Sequence, residues 1–498
     1  MMSDKYILGI DQSTSGTKAL LFDEDGGLIA RSDLPHDQLI SEQGWVEHNP
    51  IQIYENTLDV VREVVKQAGI DKNNIVGVGI SNQRETAMVW ERHTGNPVYN
   101  AIVWQCARGE AICNEIERAG HKDIIKSRTG LHLSPYFSGA KLSWILKNVD
   151  GTREEAEKGE LCCGTMDSWL VYKLTGGVSF KTDYSNASRT QLFNILELKW
   201  DEEICKIFEI PVEMLPEVCD SNGFYGETDF TGFLDHKVPI RGVLGDSHGA
   251  LFGQGCLKKG MIKATYGTGS SIMMNIGKEP VFSQKGIVTS LAYSMNGEVN
   301  YVLEGNINYT GAVIKWLIEN VGLIQSARES EELAKAAKKE DKTYLVPGFT
   351  GLGAPYWDSN ATAHISGMTR TTGKAEIVKA AVESIAYQIG DIVKIMSEES
   401  GVTIRELRVD GGPTRNEYLM QFQSDLLGIG VQVPDVEELS GIGAAYLAGI
   451  TLGIYEEEKL FARMERKSFN PVMNKRIREI RYQGWKDAVL CALSRPGM

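Results

Sequence analysis

One pattern occurs twice in this chain of 498 residues: a short apolar strand, a loop of small polar residues, and a second strand. The first copy spans residues 6–22, with its loop at 11–17 (Asp-Gln-Ser-Thr-Ser-Gly-Thr). The second copy spans residues 260–276, with its loop at 267–271 (Gly-Thr-Gly-Ser-Ser). Small polar residues between two apolar runs indicate a hairpin of a sheet. A hairpin in each half predicts two domains of the same kind.

Helices and further strands follow each hairpin. Apolar residues recur at helical spacing over 50–68 and 374–399, whereas 75–80, 238–245 and 407–410 are apolar runs of strand length. Alternating strands and helices are typical of α/β domains. We therefore expect two duplicated α/β domains that face a common cleft.

Length and composition support this organisation. A chain of this length with 42% hydrophobic residues can bury two cores, and we place the domains at residues 1–250 and 251–498. The net charge of −14 argues against nucleic acid as a partner, because phosphate backbones require clustered Lys and Arg. No apolar run approaches the ~18 residues of a membrane span, and the N-terminus shows no signal-peptide pattern. We expect a cytoplasmic protein that does not contact membranes.

The strongest catalytic candidate is Asp246. It follows the apolar run 238–245 and stands between Gly245 and Gly249, so a strand delivers it at a tight turn. A carboxylate placed in this way can act as a general base. The alternative is that Asp246 only caps the helix that follows.

Three loops at strand ends are candidates for phosphate binding. They are residues 11–17, 267–270 and 410–412 (Asp-Gly-Gly). Hydroxyls and backbone amides suit phosphate oxygens, and Asp11 suits a hydrated Mg²⁺. Each loop alone could be a plain polar hairpin, but three of them in both halves predict a shared nucleotide cleft.

Two longer segments carry a family resemblance. Residues 136–148 (Tyr-Phe-Ser-Gly-Ala-Lys-Leu-Ser-Trp-Ile-Leu-Lys-Asn) form the first segment, and 363–368 together with 376–383 form the second. Both resemble the signatures of the FGGY carbohydrate kinases, and the resemblance covers almost the whole chain. It implies two actin-like (ribonuclease H-like) α/β domains around a central cleft for ATP and a polyol or sugar.

Within that family the chain resembles the glycerol kinase branch most. The resemblance rests on residues 82–86 (Asn-Gln-Arg-Glu-Thr), Trp104, Tyr136 and Asp246. It implies that Arg84 and Glu85 bind substrate hydroxyls, that Trp104 and Tyr136 cover the carbon backbone, and that Asp246 is the catalytic base. Considered without the resemblance, the two aromatic residues could belong to a core and Arg84–Glu85 could be a surface pair.

The same resemblance implies the cofactors ATP and Mg²⁺, with Asp11 at the metal. It also implies assembly into a homodimer or homotetramer. Lys18 stands where the glycerol kinases commonly have Arg, which keeps the charge but loses the forked donor. The residues expected at the nucleotide are Ser13, Thr14, Ser15, Lys18, Thr268, Gly311, Lys315, Gly412 and Asn416.

Departures from the branch cluster at the expected substrate pocket. Ser247 replaces a Gln, Ser271 replaces a Phe and Ala107 replaces an Arg. Two large side chains have thus become small and hydroxylated. The first function expected is the ATP-dependent phosphorylation of glycerol to glycerol 3-phosphate. The alternative is a kinase for a four- or five-carbon polyol or ketose, such as erythritol, threitol, xylitol or xylulose.

Two other classes compete with this interpretation. A non-catalytic actin- or chaperone-like ATPase module would share the fold but has no use for Arg84, Glu85 and Asp246 together. A ketopentose kinase generally lacks the Asn-Gln-Arg-Glu loop.

Regulation is a further departure. Residues 232–237 lack the loop by which some bacterial glycerol kinases bind fructose 1,6-bisphosphate, and they lack the activating phosphohistidine of others. We therefore expect neither control.

Overall fold

The computed structural model describes residues 4–494. Each half is built on one large sheet that is flanked by helices. Two hydrophobic cores fill the first half and one, mainly of second-half residues, fills the second. A further core joins residues of both halves, among them Leu20, Leu244, Met273 and Leu447.

The first half contains fifteen of the strands among the described residues. They are β1 Tyr6–Gln12, β2 Gly16–Phe22, β3 Leu28–Pro35, β4 Leu39–Ile40, β5 Val46–His48, β6 Ile75–Asn82, β7 Ala87–Glu91, β8 Ala101–Ile102, β9 Leu161–Thr165, β10 Lys181–Asp183, β11 Phe193–Asn194, β12 Lys199–Trp200, β13 Glu217–Cys219, β14 Glu227–Thr228 and β15 Val238–Gly245. Its α-helices are α1 Pro50–Ala68, α2 Glu110–Arg118, α3 Lys122–Thr129, α4 Ser138–Asn148, α5 Thr152–Glu157, α6 Met166–Leu174, α7 Tyr184–Ala187, α8 Glu202–Ile207 and α9 Asp246–Gly253.

The second half has longer helices. Its strands are β16 Ile262–Tyr266, β17 Ser270–Gly277, β18 Val288–Met295, β19 Glu298–Ile307, β20 Tyr344–Val346, β21 His364–Ser366, β22 Glu406–Asp410, β23 Gly430–Pro434 and β24 Arg466–Phe469. Its α-helices are α10 Gly311–Glu319, α11 Ala327–Ala336, α12 Lys374–Ser400, α13 Glu417–Leu427, α14 Leu439–Thr451, α15 Glu457–Ala462 and α16 Lys475–Ala492.

The two large sheets, of six and seven strands, share the arrangement of their central strands. The first has the order β14-β15-β6-β1-β2-β3, and the second has β18-β19-β17-β16-β22-β23-β24. In each, a hairpin (β1–β2 or β16–β17) is antiparallel, and two parallel strands join its first member (β6 and β15, or β22 and β23). The duplication expected from the two hairpins is therefore present in the strand order.

Both polar loops are shorter in the structure than the sequence predicts. Strand β1 continues to Gln12 because Asp11 and Gln12 pair with β6, so Asp11 is part of a strand and the loop consists of residues 13–15. Strand β17 begins at Ser270, so Ser271 also belongs to a strand. The polar character of these positions hid their strand pairing, which places their side chains at fixed positions on the sheet.

The two halves meet through glycines. A Cβ atom added at Gly443 of α14 would lie 1.9 Å from the carbonyl oxygen of Gly249 in α9. One at Gly79 of β6 would lie 2.2 Å from the carbonyl oxygen of Ala444. Helix α14 therefore packs its backbone directly against α9 and against the first sheet, which requires residues without side chains.

Among residues 4–494, no helix is both long enough and apolar enough to cross a membrane.

We predict that Gly443→Ala lowers the free energy of unfolding by about 1–3 kcal/mol or more, because the methyl group would overlap backbone atoms that cannot move aside. The matched control is Gly390→Ala in α12, where the new Cβ makes an ordinary contact of 3.4 Å with a leucine side chain. Denaturant unfolding of both variants measures the difference. Equal stability of the two variants would contradict the glycine contact.

Candidate active site

A cavity of about 1100 Å³ opens between the two halves. Its lining includes residues at the ends of both hairpins, residues 246–247 after β15 and residues 410–412 at the end of β22. The predicted site residues in its lining are Asp11, Ser13, Lys18, Asp246, Ser247 and Gly412. The common cleft expected from the sequence is thus present.

Asp246 begins helix α9 at the end of β15. Its side chain is one-third exposed, towards the cavity that it lines. The carboxylate accepts hydrogen bonds from Arg84 Nε at 3.1 Å and from the Ser247 amide at 2.6 Å. The strand end is fixed from below, since the amide of Gly245 donates to Ser185 Oγ and Ser185 Oγ donates to Asp183. A rigid element therefore carries this carboxylate into the cleft.

Gly245 is needed for a second reason. A Cβ atom at this position would lie 2.6 Å from Arg84 Cγ. The arginine side chain therefore crosses the backbone just before Asp246, and that crossing places its guanidinium beside the carboxylate.

Arg84 and Glu85 are buried rather than at the surface. Arg84 Nη1 and Nη2 donate to the two carboxylate oxygens of Glu304 at 2.8 and 2.9 Å. Glu85, in the left-handed backbone region with φ of +60°, accepts from Arg189 Nε at 2.6 Å. Arg189 Nη1 lies 3.0 Å from Glu304. One buried ion cluster thus joins these four residues to Asp246.

The charges in this cluster decide the protonation of its carboxyl groups. Burial alone would raise the pKa of Glu304, but Arg189 and Arg84 together hold it below its usual range. Burial raises the pKa of Glu85, and Arg189 and Arg84 partly oppose that rise. Glu304 is therefore the firmly ionised partner of both arginines.

Trp104 and Tyr136 form an aromatic pair, with ring centroids 5.5 Å apart. The indole Nε1 of Trp104 donates to Thr14 Oγ1 at 2.9 Å, which fixes the ring against the first hairpin loop. Burial raises the pKa of the Tyr136 hydroxyl, and the charge of nearby Glu85 raises it further, so the group remains a neutral donor. These aromatic side chains thus lie beside the Arg84–Glu85 cluster.

Lys141 holds the loop that carries Tyr136. Its buried ammonium group donates to the carbonyl oxygens of Pro135, Tyr136 and Phe137 at 2.5–2.9 Å. Burial lowers the pKa of this lysine to about 7. The position of Tyr136 therefore depends on a charge buried in helix α4.

The first hairpin loop divides its predicted residues among several contacts. Ser13 closes the turn by donating to the carbonyl of Gly16 and lines the cavity, Thr14 contacts Trp104, and Ser15 is exposed. Lys18 forms ion pairs with Glu438 and, at 3.9 Å, with Asp11. Burial raises the pKa of Asp11 to about 6, while Lys18 opposes the rise.

The second half places its predicted nucleotide residues less uniformly. Thr268 and Gly311 form one unit, because the backbone of residues 267–268 accepts hydrogen bonds from residues 310–312 at the start of α10. Asn416 caps helix α13. Lys315 is exposed and pairs with Glu319 at 3.6 Å. Within residues 4–494, Thr268, Gly311, Lys315 and Asn416 are outside the lining of the large cavity.

The two substituted serines belong to different halves of the chain, and only Ser247 is among the residues that line the cavity. Ser271 pairs with Thr265, which also lines the cavity, and with Asn306. Its Oγ is buried and has no hydrogen-bond partner among the described residues. This free hydroxyl is consistent with a polar wall at that position.

Sequence reasoning missed several residues of the site, namely Arg189, Glu304, Lys141 and Glu438. Glu304 and Lys141 stand in apolar surroundings, at positions 298–307 and 136–148, where a charge needs a partner when buried. That signal could have identified them. The signal could not have identified their partners, which are distant in sequence.

The chain belongs to the FGGY family of carbohydrate kinases. The model of the family's N-terminal domain matches residues 6–253, and the model of its C-terminal domain matches residues 262–452. The predicted family, the enzyme class and the fold of two actin-like domains are thereby confirmed.

Curated relatives match over nearly the whole chain. Glycerol kinase 1 of Thermotoga maritima is 50% identical over 97% of this chain and 99% of its own length. The glycerol kinase of Oceanobacillus iheyensis is 47% identical over 98% of both chains. Among solved structures, the glycerol kinase of Plasmodium falciparum with ADP has a TM-score of 0.94 and 34% identity, covering 99% of both chains.

We predict that the stability contribution of Lys141 depends on pH. An unfolded lysine titrates near 10.4, so between about pH 7 and 10 the unfolded chain binds this proton and the folded protein does not. The unfolding free energy of the parent, relative to Lys141→Met, should therefore rise with pH across this window and be lowest below about pH 7.

Denaturant unfolding of both proteins at several pH values between about 6.5 and 9.5 measures this difference. A difference that does not change with pH would mean that the three carbonyl groups keep Lys141 fully protonated.

Proposed function

We propose that the protein transfers the γ-phosphoryl group of ATP to a terminal hydroxyl of glycerol, which gives glycerol 3-phosphate. The observation that carries the proposal is the near full-length similarity to glycerol kinases at 45–50% identity. The grouping of Arg84, Glu85, Trp104, Tyr136 and Asp246 supports it, because these side chains suit a small vicinal diol.

The acceptor side needs orientation and a base. Arg84 has two N–H groups left beyond its bonds to Glu304 and Asp246, and these can donate to a substrate hydroxyl. Trp104 and Tyr136 can cover the carbon chain. Asp246 accepts the proton of the terminal hydroxyl as that oxygen attacks phosphorus, a contribution of roughly 10²–10⁴-fold.

The donor side needs groups that bear the charge of the phosphates. Asp11 lines the cavity and its Oδ1 is buried without a hydrogen-bond partner among the described residues, so this carboxylate fits Mg²⁺ that completes its shell with water and phosphate oxygens. When bound, Mg²⁺ neutralises charge on the transferring group. Lys18 and the amides of the hairpin loops bind phosphate oxygens. We propose that residues 1–250 form the domain that binds the acceptor and that residues 251–498 form the domain that binds the nucleotide.

A longer acceptor is the second candidate. The unpartnered hydroxyl of Ser271 and the small side chain of Ser247 favour a more hydroxylated substrate of four or five carbons. Solved xylulose kinases, such as the ligand-bound enzyme of Lactobacillus acidophilus (TM-score 0.87, 20% identity), share the fold alone. The cytoplasmic location and assembly into a homodimer or homotetramer stay predictions.

We predict that glycerol gives the highest kcat/KM in a panel that also contains dihydroxyacetone, erythritol, threitol, xylitol, ribitol, xylulose and ribulose. The assay is ADP release from ATP in the presence of Mg²⁺. A clear preference for a C4 or C5 compound would favour the second candidate.

We predict that Asp246→Asn lowers kcat by about 10²-fold or more, because it removes the base. Unchanged turnover in the variant would refute the role of Asp246.

We also predict that Thr14→Val raises the KM for the acceptor several-fold, because it removes the acceptor atom that fixes the Trp104 indole. The cost of one lost hydrogen bond, about 1 kcal/mol, corresponds to roughly fivefold. Thr14→Ser keeps the hydroxyl and is the control. If instead only the KM for ATP rises, Thr14 acts at the nucleotide, as the sequence resemblance implies.

A further inference from the structure

We propose that Glu304 is a positioning residue that orients the acceptor-binding groups of the first half from the second half. The inference rests on the proposed function, in which Arg84 and Glu85 bind the acceptor and Asp246 is the base. Glu304 bonds Arg84 directly and reaches Asp246 and Glu85 only through Arg84 and Arg189.

The contacts cross from one half to the other. Glu304 belongs to β19, within the matched C-terminal domain, whereas Arg84 and Arg189 belong to the matched N-terminal domain. Both oxygens of Glu304 are engaged by Arg84, and one also lies 3.0 Å from Arg189 Nη1. Its side chain is fully buried. One carboxylate of the second half therefore holds two cations of the first.

Each arginine then reaches one carboxylate of the acceptor site. Arg84 extends from Glu304 to Asp246, through its Nε at 3.1 Å. Arg189 extends from Glu304 to Glu85, through its Nε at 2.6 Å. The planar guanidinium group fixes both of its ends together. The position of Glu304 thereby sets the direction from which Arg84 bonds Asp246 and Arg189 bonds Glu85.

The charges indicate what the loss of Glu304 would do. The cluster holds two arginines and three carboxylates, Glu85, Asp246 and Glu304. Because Glu304 accepts from both Nη groups of Arg84, this arginine bonds Asp246 through Nε alone. Without Glu304, the carboxylates left near the Arg84 guanidinium are Asp246 and Glu85, whose oxygens lie 3.1 and 4.0 Å from Arg84 Nε. A fork turned towards Asp246 would occupy the lone pairs that must accept the substrate proton. Glu304 therefore keeps the base available.

A purely structural role makes a different prediction. If Glu304 only fills space, Glu304→Gln, which has the same shape, should be better tolerated than Glu304→Asp, which is shorter. If it positions the arginines through its charge, Glu304→Asp should retain more activity than Glu304→Gln. The order of these two variants separates the alternatives.

The experiment measures kcat and both KM values for the parent, Glu304→Gln and Glu304→Asp, with ATP and the best acceptor of the panel. The matched control is Glu383→Gln, which removes another buried carboxylate, paired with Arg481 at 3.0 Å and bonded by Tyr418, in the second half. Thermal unfolding of every variant reports folding.

We expect Glu304→Gln to lower kcat/KM for the acceptor by about tenfold or more, through a lower kcat and a higher acceptor KM. The KM for ATP should stay within about twofold of the parent value. Glu304→Asp should recover part of this loss, and Glu383→Gln should keep the parent's kinetics even if its melting temperature falls. A Gln variant as active as the Asp variant or more so, or an equal rise of both KM values, would overturn the proposal.

Two further outcomes are also decisive. If Glu304→Gln does not fold, Glu304→Asp decides alone: a rise of about threefold or more in the acceptor KM, with the ATP KM unchanged, supports the positioning role, and parental values refute it. A parent that phosphorylates no acceptor of the panel would refute the proposed function instead, whereas an active parent with unaffected Glu304 variants would refute only this inference.

Discussion

The close backbone contact between helices α9 and α14 is the constraint on which the rest of the structure depends. Gly249 and Gly443 allow these helices, one from each half, to approach without side chains between them. Helix α9 begins with Asp246, and α14 follows directly after Glu438, the partner of Lys18. The same contact that joins the halves therefore sets the distance between two walls of the cavity. Because packed interiors deform little, this contact resists changes in that distance.

The second requirement is electrostatic. A buried charge costs several kcal/mol unless it is paired and hydrogen-bonded, and removal of one partner leaves the other uncompensated. The Arg84–Glu304 and Arg189–Glu304 pairs meet this condition only when the two halves are together, because Glu304 comes from the second half. Such a cluster contributes little to stability compared with an apolar core. What the contacts show is an effect on geometry, since Glu304 holds the guanidinium of Arg84 and that guanidinium bonds Asp246.

Much of this organisation could be predicted from the sequence, because it follows from local pattern. The bounds of α1 at Pro50–Ala68 and of β15 at Val238–Gly245 agree with the apolar periodicity, and α12 ends at Ser400, one residue beyond the predicted end. The hairpin loops were predicted too long because strand pairing across the sheet, not residue polarity, decides where β1 ends. Glu304 and Arg189 could not be predicted as a pair, since 115 positions separate them and only the folded chain brings them within 3.0 Å.

The hydrogen bond from Trp104 to Thr14 links the two kinds of predicted residue in a way that sequence motifs alone do not reveal. Thr14 belongs to a loop expected at the phosphates, and Trp104 to a segment expected at the acceptor. A movement of that loop on nucleotide binding would therefore be felt at the aromatic wall of the acceptor site. On the opposite side, Lys18 already has two carboxylate partners, Glu438 and Asp11. In the proposed function, phosphate oxygens would compete with these carboxylates for Lys18, and binding of the nucleotide would then rearrange charges beside Asp11 and at the start of α14. Under the roles proposed here, the hydrogen bond between Trp104 and Thr14 would therefore couple the acceptor site to the donor site.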